Sequence, residues 1–355
     1  MEINLKAFRI AVLVAALALI AGLTGASRAS AAAEPDAKLL RTYQPVLIFH
    51  PDELFRPTKV QSYIEGARLE RFDGTNTAQL PLDAYWTIVD GDPDAGSLPA
   101  STPGVFYRLN ETACNARAQL ADASCYADAF ASGSCGAAVY GRIARTDTRI
   151  VLQYWLFYYD NPLILPTTPV GRFWQSHESD WEVVNVILST DGTPLQAAYS
   201  QHCSGQRRAW TNVQKFDETH PVAYVGLGSH ANFFAPGAGP LGAVPINRAC
   251  LPAQVQAVLP ALPFLPVVDQ VVDGSSQGAI VGPPGSGLPA ATIHGIDGAP
   301  WADFGGRWGE SEYFFTPIPL GPVPGGTAVP TGLGPPTPAN QRQWSPETVL
   351  SWPIS

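Results

Sequence analysis

QSHESDWEVVNVILS, residues 175–189, sets four ionisable side chains, His177, Glu178, Asp180 and Glu182, directly before a run of apolar and β-branched residues. That run has the composition of a buried strand. With Trp181–Ser189 extended, Asp180, Glu182, Val184, Val186 and Leu188 point one way and Trp181, Val183, Asn185 and Ile187 the other. Two carboxylates therefore stand side by side at the mouth of an otherwise apolar face. Burying them costs several kcal/mol unless a cation or hydrogen bonds offset it.

Outward from this stretch the pattern repeats in RIVLQYWLFYY (149–159), LQAAYSQH (195–202) and PVAYVGLG (221–228), with turn chemistry such as TDGTP (190–194) between runs. Gly and Pro together supply 67 of 355 residues, a high share for a helical protein. The expected fold is mainly β, an antiparallel β-sandwich. An Ala-rich segment predicts a small helical, cysteine-containing insertion over about 112–132. From Pro317 to Pro338 there are 8 Pro and 5 Gly, so 317–355 reads as a Pro/Gly-rich C-terminal arm on a single domain spanning 34–316. No internal repeat is present.

Residues 1–33 read as a signal peptide: Lys6 and Arg9 precede an apolar run of 14 residues, Ile10–Leu23, and small residues follow. The run is shorter than the roughly 20 residues of a membrane-spanning helix. No later stretch is long and apolar enough to anchor the mature chain, so the expectation is a secreted protein. Removing this segment takes away a net charge of +2 and moves the formal charge from −9 to −11. Nucleic acid is excluded as a partner on this balance, because displacing counterions from phosphates needs a basic surface. The five cysteines, Cys114, Cys125, Cys135, Cys203 and Cys250, include no Cys-x-x-Cys pair, and an oxidising destination favours disulfides. The expected pairs are Cys203 with Cys250 and two of the first three, leaving one thiol. Nothing in the sequence fixes an oligomeric state.

The strand VLQYWLFYYD carries Asp160 at its end, and a neighbouring strand can bring it beside Asp180 and Glu182, with His177 bending over from a preceding loop. Three carboxylates and an imidazole suit a hard or borderline divalent cation, Mg²⁺, Ca²⁺ or Mn²⁺. The same spacing also suits a solvated strand end, or one paired with Arg172. His202 and His230 each close a strand, as caps bonded to backbone or as proton shuttles beside a metal-bound water. Arg207 and Arg208 offer charge to an anionic ligand or simply to solvent. The apolar loop after Asp160, with Leu163, Ile164, Leu165, Phe173 and Trp174, either folds over the core or forms a rim for a lipid or glycan surface. GSSQG (274–278) has the Gly-x-Ser-x-Gly form of a nucleophile elbow, but Pro283 and Pro284 follow too soon for its helix. Asn110 opens a glycosylation sequon.

HESDWEVVNVILSTDGTPLQAAYSQH resembles the core of the vacuolar protein sorting-associated protein 62 family, as do YQPVLIFHPDELFRPTKVQSYI, LQYWLFYYDNP, HPVAYVGLGSHANFFAPG and GRWGE, in that order. The resemblance spans most of residues 43–310 and implies no reaction. A more distant similarity joins the His-x-x-Asp-Trp-Glu core to the secreted necrosis-inducing proteins of plant pathogens, β-sandwiches with a divalent cation near a sphingolipid-headgroup site. That similarity implies Asp160, His177, Asp180 and Glu182 as cation ligands. Glu178 and Ser179 depart from it, standing where basic and imidazole side chains are usual.

Three functions follow as expectations. The first is a binding module in which the cation bridges protein carboxylates to a polar small molecule, a glycan or a lipid headgroup. The second is a metal-assisted hydrolase of phosphoester or glycosidic bonds with His202 or His230 as base, or a metal-free glycosidase using Asp180 and Glu182. The third is a structural surface protein with a stabilising ion.

Overall fold

The computed structural model describes residues 35–80, 83–111, 137–164, 171–238, 243–245, 268–272, 278–317 and 327–355. The signal peptide, the helical insertion and Gly274–Gln277 of the GSSQG motif lie outside them, as do the side chains of the apolar loop. Residues up to Thr42 form one unit, helical over 35–42, and Tyr43–Ser355 form another.

The larger unit is mainly β. Its strands are β1 (Val46–Ile48), β2 (Ala67–Phe72), β3 (Trp86–Asp90), β4 (Tyr107–Glu111), β5 (Ala138–Arg145), β6 (Ile150–Ile164) and β7 (Gly171–Leu188). They continue with β8 (Pro194–Gln201), β9 (Ser204–Ala209), β10 (Lys215–Phe216), β11 (His220–Val225), β12 (Asn232–Phe233), β13 (Ala243–Pro245) and β14 (Val268–Gln270). The last five are β15 (Ile280–Val281), β16 (Thr292–Gly295), β17 (Arg307–Trp308), β18 (Glu310–Pro317) and β19 (Thr327–Leu333).

An eight-stranded sheet runs β16-β5-β6-β7-β18-β19, with β8 and β9 attached at β7. Its faces are covered differently. Phe157 and Tyr158 are successive on β6 and so point oppositely. The Phe157 ring meets Trp308 and Trp181, on the side of the four-stranded sheet β17-β4-β2-β3. Tyr158 lies on His230, and on that side Tyr199 of β8 donates to the Val222 carbonyl of β11. There the five-stranded sheet, β10-β11-β1-β15 with β12, contributes a core of Val46, Ile48, Val222, Tyr224 and Phe233. Each such buried side chain contributes about 1.5–3 kcal/mol. The large sheet is therefore covered on both faces, and three pairings, β1 with β11, β16 with β5 and β17 with β4, are parallel. The antiparallel expectation holds for the remaining ladders but not for these, because strands distant in sequence join without a hairpin.

Buried Arg108 on β4 clamps the four-stranded sheet to β18 by ion pairs to Glu70 at 2.7 Å and Glu310 at 3.3 Å, with its guanidinium over Trp86. Residues 327–355, expected as an arm, supply β19 to the large sheet, and Val349 and Trp352 beyond it are buried. The segment is held where Arg142 donates to the Trp344 carbonyl and stacks 3.7 Å from its ring.

Candidate functional site

The second edge of β7 is divided between two partners. β18 pairs with Gly171–His177 and β8 with Val184–Leu188, so residues 178–183 have no strand on that edge among the described residues. Ser200 fills part of the gap by accepting from Val183 N at 2.7 Å through its hydroxyl. The fork opens a cavity of about 510 Å³ whose wall includes Asn161, His177, Asp180, Glu182, His202 and Arg307. The ionisable cluster read from the sequence thus sits where the sheet splits.

It does not sit in a loop. His177–Asp180 lies inside a strand that begins at Gly171, and β6 likewise runs beyond Asp160 to Ile164. The expected turn is replaced by one residue: Ser179 adopts φ 53°, in the left-handed region. That twist sends its neighbours to opposite faces. Tyr63, which packs on Phe157 and Trp308, donates to Glu178 Oε2 at 3.4 Å. Asp180 turns to the His230 side. Gly309, at φ 82°, is required beside it, because a Cβ there would overlap the Cβ of Glu178.

Asp180 Oδ2 accepts from Asn161 Nδ2 at 2.7 Å and from His230 Nδ1 at 3.1 Å, and the ring's Nε2 lies 3.6 Å from Glu53 Oε1. Burial disfavours the Asp180 charge, but the His230 bond, the nearby imidazoles and Asn161 outweigh it and hold the carboxyl below its ordinary value. Glu182 is pushed well up, by burial and then by the Asp180 charge, against the Ser200 hydroxyl that donates to it. Burial opposes charge on His230, yet Glu53 and Asp180 raise it to about 9. His202 Nε2 meets buried Asp269 Oδ2 at 2.9 Å and, against its own burial, is likewise raised to about 9. His177 Nδ1 lies 2.6 Å from the Ser179 carbonyl, which only accepts, so that nitrogen carries a proton.

His177, Asp180, Glu182 and His202 share the cavity wall. His230 is wholly buried behind Asp180. Asp160 is buried with Oδ1 accepting from Asn161 N, and Asn161, not Asp160, reaches the cavity. Among the described residues no group of three or more His, Cys, Asp or Glu side chains is arranged to hold a metal ion. Glu53, Asn161, Ser200 and Asp269 were not singled out by the sequence reading. Asp269 had a signal, being the one carboxylate within VVDQVV (267–272).

His202 directly follows β8, whereas His230 lies in the turn between β11 and β12 and closes neither, and both have strained backbone. Five non-glycine residues among those described have positive φ, and Ser179, His202 and His230 are three of them. His202, at φ 56°, is the first of two residues linking β8 to β9, where glycine is usual in a type II′ turn. Cys203 beside it is disulfide-bonded, and the other cysteines lie outside the described residues. Arg207 donates to the Trp352 carbonyl and Arg208 stacks on Phe234, so neither stands free for an anion. Asn110 on β4 donates to Glu70, so the sequon's amide is engaged.

No family model matches the chain, and no curated protein matches it. The resemblance to the vacuolar protein sorting-associated protein 62 family therefore stands on the sequence blocks alone. Distant similarity reaches the crystal structure of necrosis and ethylene inducing protein 2 from the causal agent of cocoa's witches' broom disease, at 18% identity. It covers 56% of this chain and 67% of that one with a TM-score of 0.25, too slight an overlap to carry an argument about activity.

Proposed function

We propose that this is a secreted binding protein whose forked-sheet cavity takes a polar, hydroxyl-bearing ligand, a glycan or a lipid headgroup. The observation that carries the reading is the left-handed backbone at Ser179, His202 and His230. Each such residue costs on the order of 1–3 kcal/mol, and strain of this kind persists where function requires it. The cavity also has the volume of a small-ligand site. Asp180 is an acceptor for ligand hydroxyls at this wall.

A divalent cation, Mg²⁺, Ca²⁺ or Mn²⁺, belongs to the same proposal. The donor chemistry suits it: the carboxyl groups of Asp180 and Glu182 and the imidazole of His177 line the cavity. Accepting the ion requires Asp180 and Glu182 to yield contacts now made with His230 and Ser200. A bound ion would supply positive charge between the carboxylates.

The second reading, a hydrolase of phosphoester or glycosidic bonds, draws on the His202–Asp269 pair at the cavity wall. An imidazole raised to about 9 is protonated at neutral pH and donates a proton more readily than it takes one. That favours recognition over general-base chemistry.

Calorimetric titration with Mg²⁺, Ca²⁺ and Mn²⁺, then with neutral glycans and headgroup analogues in cation or chelator, tests the proposal. Saturable binding abolished by Asp180→Asn supports it. Absence of binding to every probe, alongside turnover of nitrophenyl phosphate or glycosides, would favour the enzyme.

A further inference from the structure

The cavity has a basic side that the reading above does not use. Arg307 and Arg342 both line it. Arg307 is half-buried, which lowers its pKa, and no described residue accepts a hydrogen bond or ion pair from its guanidinium. Elsewhere in this fold a buried guanidinium is matched, as Arg108 is by Glu70 and Glu310. Its direction is fixed by its neighbour. On β17 the Trp308 ring is fully buried against Trp181, Trp301 and Phe304, so alternation along the strand turns Arg307 the other way, to the cavity. Arg342 is anchored through its own segment: Gln153 donates to the Gln343 carbonyl and Arg142 holds Trp344.

We infer that Arg307, with Arg342, forms an oxyanion subsite in this cavity, and that the ligand is a phosphorylated polyol. Two guanidinium groups lining one cavity match a phosphate ester, whose oxygens accept from the planar fork. Asp180, which also lines the cavity, repels that group and accepts from hydroxyls, so the two ends of the ligand are told apart. The inference rests on the cavity being a binding site, but it requires neither a cation nor the hydroxyl contacts and is tested without them.

The test is calorimetry in chelator with inorganic phosphate, glucose 6-phosphate and glucose, on the parent, Arg307→Gln, Arg307→Lys and the exposed control Arg71→Gln. Arg307→Gln should weaken glucose 6-phosphate by at least about tenfold, Arg307→Lys by less, and Arg71→Gln should not change it. Glucose 6-phosphate bound no better than glucose, or bound equally by parent and Arg307→Gln, overturns the subsite while leaving the polyol reading intact. Arg307-dependent phosphate binding without glucose binding supports the subsite and counts against that reading. Should Arg307→Gln fail to fold, phosphate should still slow phenylglyoxal modification of Arg307 in the parent, and an unchanged rate overturns the inference. Vesicles of equal parts phosphatidylcholine and phosphatidylglycerol identify the source: Arg307-dependent sedimentation assigns the oxyanion to a lipid, and Arg307-dependent binding of glucose 6-phosphate alone assigns it to a free solute.

Discussion

The imidazole of His230 lies flat on the phenol ring of Tyr158, with centroids 3.8 Å apart and planes within 1°. This stack fixes a cation between Asp180 and Glu53 in the interior. Removing it would strand two buried carboxylates. His230→Ala should therefore cost about 3–5 kcal/mol in urea unfolding at neutral pH. Adding Asp180→Asn should recover part of that loss. A fully additive double variant would show that the pair is not coupled.

His202 sets a pH dependence. Its pKa in the fold is raised to about 9 by Asp269, above the ordinary imidazole value of 6.5. The pair's contribution is fully present below about pH 6.5 and is lost as pH rises through about 9. The stability difference between the parent and His202→Gln should follow that fall, with an amplitude on the order of 3 kcal/mol at most. A difference that grows across the window would mean that His202 is neutral in the fold.

Cation binding has its own signature. An ion held only by the folded state adds about 2.7 kcal/mol at a hundredfold excess over Kd. The melting temperature should drop in chelator for the parent and stay unchanged for Asp180→Asn. Glu178 cannot serve as the inert control, since it is buried against Tyr63. Asp191, in the turn before β8, can.

Gly309→Ala should destabilise by more than about 2 kcal/mol, combining a left-handed backbone with overlap at Glu178. Chemical unfolding measures this. A near-neutral result would mean that β7 and the Trp308–Glu310 segment separate readily.

Much of β7 was legible because alternation is local: the shared face of Asp180 and Glu182, with Trp181 opposite, follows from period two alone. What the period cannot show is the single left-handed residue. Ser179 turns Glu178 away from Asp180, and nothing in the letters HESDWE marks that twist. The partners were illegible for a different reason. Glu53 and Asp269 reach the site from segments far from β7 in sequence, and Asn161 is the residue next to Asp160 on β6. Asp160 lies off the cavity wall, which Asn161 joins instead, because β6 does not stop there. The C-terminal segment looked irregular from its prolines, yet β19 is an edge strand, where proline is tolerated.

The divided edge of β7 also imposes an order in time. β8 follows β7 almost at once, at Pro194, whereas β18 and β19 begin only at Glu310 and Thr327. A polypeptide threaded from its N-terminus emerges with the lower half of that edge bare and the far wall of the cavity still unmade. The cavity is then completed only after the strand that carries Asp180 and Glu182 has been made.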